Sequence, residues 1–250
     1  MTALHPSVSP RVASRRRRAR PQWRRAYRAL RILLREPDRT ENAFEVIAAL
    51  EPDQMERGLA RALADPQGRR LFMERPCLLE RLCDRDALAR LPDGSFGRAY
   101  LAHIDRHGLD PGKLTELGRS YPEIRADDDG TRWYAERNEL SHDLYHVLTG
   151  YGADGLGETA LLWFTHGLAG GRGTAFLMVG AAWQSRGGAG PGWALYLWRA
   201  WRRGRRAGAL DAMPWEELLA LPLAEVRALA RIEPPAAVHP EGVRFEAPAA

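Results

Sequence analysis

Apolar positions recur at spacings of three and four along most of the chain, and that period predicts helices rather than strands. Phe44, Ile47 and Ala48, then Met55, Leu59 and Leu63, mark two successive helices, with Pro52 opening the second and Asp65-Pro66 closing it. Leu78, Leu79 and Leu82, followed by Leu88 and Leu91, form a short helical pair that ends in the turn Pro92-Asp93-Gly94. A helix over 97–107 follows, with Tyr100, Leu101 and Ile104 inward, and then a loop over 121–131 holding Asp127, Asp128 and Asp129. Helix is predicted again over 131–148 and, after a glycine-rich break at 150–157, over 158–167. Both segments are apolar on more than one face, which marks helices at the centre of a fold. Gly170-Gly171-Arg172-Gly173 and Gly187-Gly188 bound the next helix, and segments 193–206 and 215–232 complete the set. No run alternates with period two for long enough to make a sheet. The predicted fold class is all-α, a single multi-helix, bundle-like domain with a basic N-terminal arm.

Composition refines this picture. At 250 residues and 45% apolar, the chain can bury a full core without disulfides or a metal staple. Cys77 and Cys83 fit neither a redox pair nor a zinc knuckle and are expected as buried thiols. The net charge of +5 is uneven, because the first acidic residue is Glu36 while eleven arginines, from Arg11 to Arg35, precede it. Three parts are expected: a basic arm with an amphipathic helix (1–36), a helical domain (37–232) and a flexible tail (233–250). Trp23, Tyr27, Leu30 and Leu34 share one face of the arm's helix, a pattern shared by an interfacial helix on an anionic membrane and by a packed first helix. No helix-turn-helix or RNP motif is present, so no nucleic-acid partner is expected. The arginine-rich start also fits a mitochondrial import segment, residues 1–20 lack a secretory apolar stretch, and the apolar run 174–183 is too short to span a bilayer.

The chemistry-bearing stretch is 137–164. His142 and His146 lie one helical turn apart, Asp143 adjoins the first, and Glu158 follows twelve residues after the second, across a break that lets the next helix fold back. A His-Asp-His-Glu set of this kind suits Zn²⁺, with Fe²⁺ or Mn²⁺ as alternatives because two carboxylates harden the site. The competing reading is a group of ion pairs among His142, His146, Asp143, Glu139 and Glu158. The pattern is not HExxH, so the helical-glutamate mechanism of zinc proteases does not transfer. An HD-type phosphohydrolase is a further enzyme reading, without an upstream His or downstream Asp to complete it. The aspartates at 127–129 lack the alternation of a calcium loop and read as a solvated turn.

The segment from His142 to Glu158 resembles the hallmark of the coenzyme Q (ubiquinone) biosynthesis protein 4 family, His-Asp-x-x-His followed after eleven residues by Glu, and fills each of its positions. The similarity extends from about Phe44 to Ile232: LPDGSFGRAYLAHIDRHGL upstream, Arg137 and Glu139 before the motif, then Leu156-Gly157 with Trp163-Phe164, Gly204-Arg205-Arg206-Ala207, Trp215-Glu216 and LPLAEVRAL in family order. A segment at 186–191 departs from that pattern.

The resemblance implies a zinc protein at an energy-transducing inner membrane, peripheral on the cytoplasmic face in a bacterium or on the matrix side in a mitochondrion. A single lysine, Lys113, leans toward the bacterium. It implies removal of the C1 carboxyl of a polyprenylated 4-hydroxybenzoate intermediate, with hydroxylation of that carbon, by a carbon-carbon lyase whose catalytic and metal residues are His142, Asp143, His146 and Glu158. The alternative implied function is a non-catalytic, lipid-binding scaffold for other ubiquinone-biosynthesis proteins. The expected partners are a polyprenylated ring lipid, such proteins, the membrane surface and a second copy in a homodimer. Leu161, Leu162, Trp163, Phe164, Phe176, Leu177, Met178 and Trp183 are candidates for a lipid channel and equally for core. Arg205 and Arg206 are candidates for holding an anionic group or ending a solvated helix.

Overall fold

The computed structural model describes residues 20–36, 39, 41–119 and 129–243. The arginines at 11–18 and Asp127 and Asp128 lie outside the described residues. Among the described residues the fold is all-α, and the only extended pairing is an isolated bridge between Ser95 and Pro222. The helices are α1 (Trp23–Arg35), α2 (Glu41–Leu50), α3 (Gln54–Ala64), α4 (Pro66–Glu74), α5 (Leu78–Cys83), α6 (Arg85–Ala89), α7 (Phe96–His107), α8 (Pro111–Arg119), α9 (Asp129–Thr149), α10 (Gly155–Ala169), α11 (Arg172–Ala189), α12 (Trp193–Arg206), α13 (Trp215–Leu218), α14 (Leu223–Leu229) and α15 (Pro235–Val238).

Side-chain caps set several of these boundaries by satisfying amides that the first turn leaves without a helical partner. The Asp65 carboxylate accepts from Gln67 N at 2.8 Å with Pro66 in the first turn of α4. Ser95 Oγ accepts from Arg98 N at the start of α7, which ends on the left-handed Gly108. Asp65-Pro66 therefore both closes α3 and opens α4, a helix not anticipated from the sequence; α8 was likewise unanticipated. The glycine pair 187–188 does not end α11, which runs to Ala189 and stops at Gly190 with φ of 73°. The expected helix over 215–232 divides into α13 and α14 around Pro222, whose ring removes an amide donor.

A large apolar cluster gathers α7, α9, α10, α12 and α13 around Phe96, Tyr100, Leu144, Phe164, Tyr196 and Trp215. A smaller one joins α1, α2 and α11 through Ala26, Leu30, Val46, Leu50 and Leu177. Helices α10 and α12 cross tightly because a Cβ on Gly204 would sit 2.0 Å from Phe164 O, and one on Gly167 would sit 2.2 Å from Trp201 O. Only hydrogen fits at that crossing.

The structure shows which faces of α1 and α2 are buried, and it corrects the expectations for the cysteines and the tail. Helix α1 is packed through Ala26, Ala29 and Leu30, while Trp23 and Tyr27 stand outside at 53% and 56% exposure. Small alanines let α1 approach α2, where Arg25 pairs with Glu45 at 2.7 Å. The buried face of α2 is Asn42, Val46, Ala49 and Leu50; Phe44 and Ile47 face a cavity instead. Both cysteines are exposed, since the short α5 buries Leu78 and Leu82 while Cys77 before it and Cys83 at its end face outward. The chain beyond Glu233 is not loose over its described part: His239 is buried, stacks on Tyr196 and has Nε2 2.9 Å from Tyr151 Oη.

Candidate metal centre

The last turns of α9 carry the histidines. Arg203, buried on α12, donates to Thr149 O at 2.7 Å, and Arg227 on α14 donates to Leu148 O at 2.9 Å and Val147 O at 3.1 Å. Two guanidiniums thus satisfy carbonyls that the helix end leaves free and complement its negative pole. Upstream, the buried Arg137 grips Glu216 at 2.5 and 2.9 Å and Met213 O at 2.8 Å, tying α9 to α13. Helix α9 is therefore held at its middle and at its C-terminal end.

The turn after α9 brings Glu158 back. Asp154 caps α10 by accepting from Leu156 N and Gly157 N at 3.0 and 3.1 Å. Gly157 lies so close to the turn that a Cβ there would sit 1.9 Å from Gly152 O. Glu158 follows directly, its carboxylate between the two histidines: Oε1 is 3.1 Å from His146 Nε2 and Oε2 is 3.6 Å from His142 Nε2. Asp143 Oδ1 is 3.4 Å from His142 Nδ1, and one donor atom each from His142, Asp143 and His146 lie within 4.8 Å of one another. Donors about 2.1 Å from a tetrahedral ion lie about 3.4 Å apart, so shared coordination needs side-chain shifts of about an ångström.

His146 decides whether a cation fits. Its Nδ1 is 3.0 Å from Tyr151 O, which only accepts, so Nδ1 carries the hydrogen and Nε2 of the neutral ring presents a lone pair. That buried Nε2 has no hydrogen-bond partner yet lies 3.1 Å from the Glu158 carboxylate. Two acceptors at this distance require a positive charge between them, and a divalent metal meets the requirement with donors that suit zinc. Without a metal, a proton takes the role. Burial depresses the His142 pKa, but hydrogen bonds and charge from Asp143 and Glu158 outweigh it and raise the value to about 10. Burial raises Glu158, and the two histidines reverse that and hold it well below the usual carboxylate range.

His142, Asp143 and Glu158 line a cavity of about 1560 Å³ that runs between α9, α10 and α11 to Leu33 and Leu34 of α1. Of the channel candidates, Leu162 and Leu177 line it, Leu161 and Phe164 are buried in the core, and Trp183 is 67% exposed. Phe176 packs edge-on against Trp23, and Trp163 Nε1 donates to Met178 O at 3.3 Å. Arg205 lines the cavity, whereas Arg206 faces Glu233 at 3.4 Å.

Sequence reasoning missed His103. It stacks on His146 with centroids 5.3 Å apart and planes at 20°, and contacts His107 at 4.8 Å, so imidazoles form a file from exposed His107 to His142. Burial, with His146 and His107, lowers the His103 pKa to about 4, leaving a neutral ring against His146. The second His-x-x-x-His, at 103 and 107, was its one visible signal.

Residues 34–236 match the family described as coenzyme Q (ubiquinone) biosynthesis protein Coq4. A mitochondrial ubiquinone biosynthesis protein COQ4 of Pyricularia oryzae is 33% identical over 178 residues, covering 69% of this chain and 55% of that protein. The Bos taurus COQ4 homolog is 36% identical over 112 residues, covering 45% of this chain and 37% of its own length. The chain thus spans about half or less of these relatives. A crystal structure from Nostoc punctiforme, assigned to ubiquinone biosynthesis, shares the fold with a TM-score of 0.57 at 19% identity, covering 83% of this chain and 96% of that one. With its fold, its ligand-rich turn and a family match over most of its length in agreement, the chain belongs to the coenzyme Q (ubiquinone) biosynthesis protein Coq4 family.

Proposed function

We propose that this protein acts in ubiquinone biosynthesis by removing the C1 carboxyl of a polyprenylated 4-hydroxybenzoate, with His142, Asp143, His146 and Glu158 holding a divalent metal, zinc first and Fe²⁺ or Mn²⁺ as alternatives. The observation that carries it is the convergence of these side chains beside a long cavity that His142, Asp143 and Glu158 line. At about 1560 Å³ the cavity exceeds the roughly 300–1,000 Å³ of ordinary small-ligand sites, which suits a ring with a long tail. When bound, the metal supplies a positive charge for a substrate carboxylate or phenolate. Leu162, Leu177 and Ile47 line a path for the isoprenoid, each buried CH₂ contributing about 0.8 kcal/mol. Arg205 offers a guanidinium along the cavity wall to an anionic ring substituent.

In the overall change the bond from C1 to the carboxyl breaks and CO₂ leaves. One atom of dioxygen becomes the new hydroxyl, and the other leaves as water with two electrons from a reductant. The working site is peripheral at an inner membrane, on the cytoplasmic face in a bacterium or the matrix side in a mitochondrion. Among the described residues no helix is long and apolar enough to cross a membrane. The domain is 37–232, and other ubiquinone-biosynthesis proteins and a second copy are its proposed protein partners.

A scaffold reading is favoured by the donor count, since four protein ligands fill a tetrahedral shell. Elemental analysis and mass spectrometry of co-purified lipid, combined with turnover of a prenylated hydroxybenzoate, separate the two. The enzyme requires about one metal per chain and turnover lost in Glu158→Ala. Metal with lipid but no turnover supports the scaffold, and absence of metal defeats both.

A further inference from the structure

Helices α1 and α11 run side by side. Trp23 meets Phe176 at 5.8 Å, Leu30 packs beside Gly180, and Gln184 donates to Leu34 O. Their outward sides carry large side chains that the fold leaves in water: Trp23 and Tyr27 one turn apart on α1, and Val179 and Trp183 on α11, at 53%, 56%, 60% and 67% exposure. Four large side chains left in water along one seam of a folded domain form a candidate docking surface.

Charge identifies the occupant. Helix α1 contains five arginines and no acid, and Arg24, Arg28, Arg31 and Arg35 are exposed. Two guanidiniums lie over the ridge's own rings, Arg31 at 5.9 Å from Tyr27 and Arg186 at 3.7 Å from Trp183. Tryptophan and tyrosine bordered by arginine suit a bilayer boundary, where rings enter the headgroup layer and guanidiniums meet phosphates.

The cavity reaches the same seam: Leu33 and Leu34 of α1 and Ala181 and exposed Gln184 of α11 line it. We infer that the α1–α11 face docks on an anionic bilayer with the cavity mouth toward the acyl layer, so that an isoprenoid tail passes from membrane to cavity without crossing water. The docking stands on the surface alone, and only the tail's identity rests on the proposed function.

Sedimentation of the full chain with phosphatidylcholine vesicles containing about 30% phosphatidylglycerol tests this. The Tyr27→Ser, Trp183→Ser double variant changes two side chains that lie mostly in solvent, and a thermal melt and metal content establish that its fold is kept. Because the arginine-rich N-terminal segment binds anions by charge, the comparison is repeated at roughly 1 M salt, where the Debye length is about 3 Å. The double variant is expected to bind about tenfold more weakly and to lose the salt-resistant fraction, with Arg24→Glu, Arg28→Glu weakening binding at low salt only. Unchanged binding by the double variant overturns the inference. So does equal wild-type binding to vesicles without phosphatidylglycerol, or a double variant that changes oligomeric state while vesicle binding persists. A wild type that docks but holds no metal leaves the inference standing and defeats only the proposed function.

Discussion

At the scale of single residues, charge placement dominates. Glu158 faces two imidazoles, so Glu158→Gln keeps its shape and removes its charge; loss of metal affinity by about a hundredfold or more is expected in a competition titration with a chelator. Unaltered affinity in that variant would remove Glu158 from the ligand set. Asp211 makes a different case, since burial raises its pKa more than Arg61, 3.8 Å away, lowers it. A folded-state pKa above the unfolded one gives stability that is present below the unfolded value and lost as pH rises through the folded one. Wild type is therefore expected to lose stability relative to Asp211→Asn as pH rises above the ordinary carboxylate range, measured by urea unfolding at successive pH values. Parallel curves for the two proteins would mean that the carboxylate ionises in the fold without cost.

At the scale of elements, the long helices and the leucine-marked short pair α5 and α6 were legible, whereas α4 and α8 were not. Helix α9 carries its apolar residues at helical spacing over 21 residues, whereas α4 and α8 are nine residues each and depend on neighbours as much as on their own pattern. The helical spacing of Trp23, Tyr27, Leu30 and Leu34 was visible, but which part of it faces inward depended on alanines that periodicity weighs lightly and on Arg25 meeting Glu45. The convergence of His142, Asp143, His146 and Glu158 could be read because the first three share one helix turn and the fourth follows a glycine-rich break. His103 comes from another helix, and its approach to His146 is a product of tertiary packing. Close glycine contacts were equally invisible, and they lead to a paired prediction. Gly204→Ala places a methyl group against Phe164 O at the α10–α12 crossing and is expected to cost at least about 2 kcal/mol in chemical denaturation while the folded fraction keeps its metal. Gly157→Ala presses on the turn that aims Glu158 and is expected to reduce metal content as well. Equal metal loss in both variants would show that the turn has no special hold on the site.

At the scale of the whole molecule, two apolar clusters are separated by the cavity that joins His142, Asp143 and Glu158 to the α1–α11 seam. An extended space lined by leucine, isoleucine and phenylalanine leaves dispersion contacts unmade, so its filling by a matching chain stabilises the folded state through binding alone. At a ligand concentration of one hundred times Kd the gain is about 2.7 kcal/mol, which for a chain of this size raises Tm by roughly 5–10 °C. Geranylgeraniol, which has a tail but no acidic ring, is expected to produce such a shift in lipid-free protein with or without metal, because the wall of the passage contributes the energy. Leu162→Trp puts an indole into that passage without touching His142, Asp143, His146 or Glu158. The variant is expected to keep its metal and lose most of the thermal shift, which separates occupation of the passage from coordination at its end. If Leu162→Trp responds to geranylgeraniol like the wild type, the tail sits elsewhere and the cavity has another occupant.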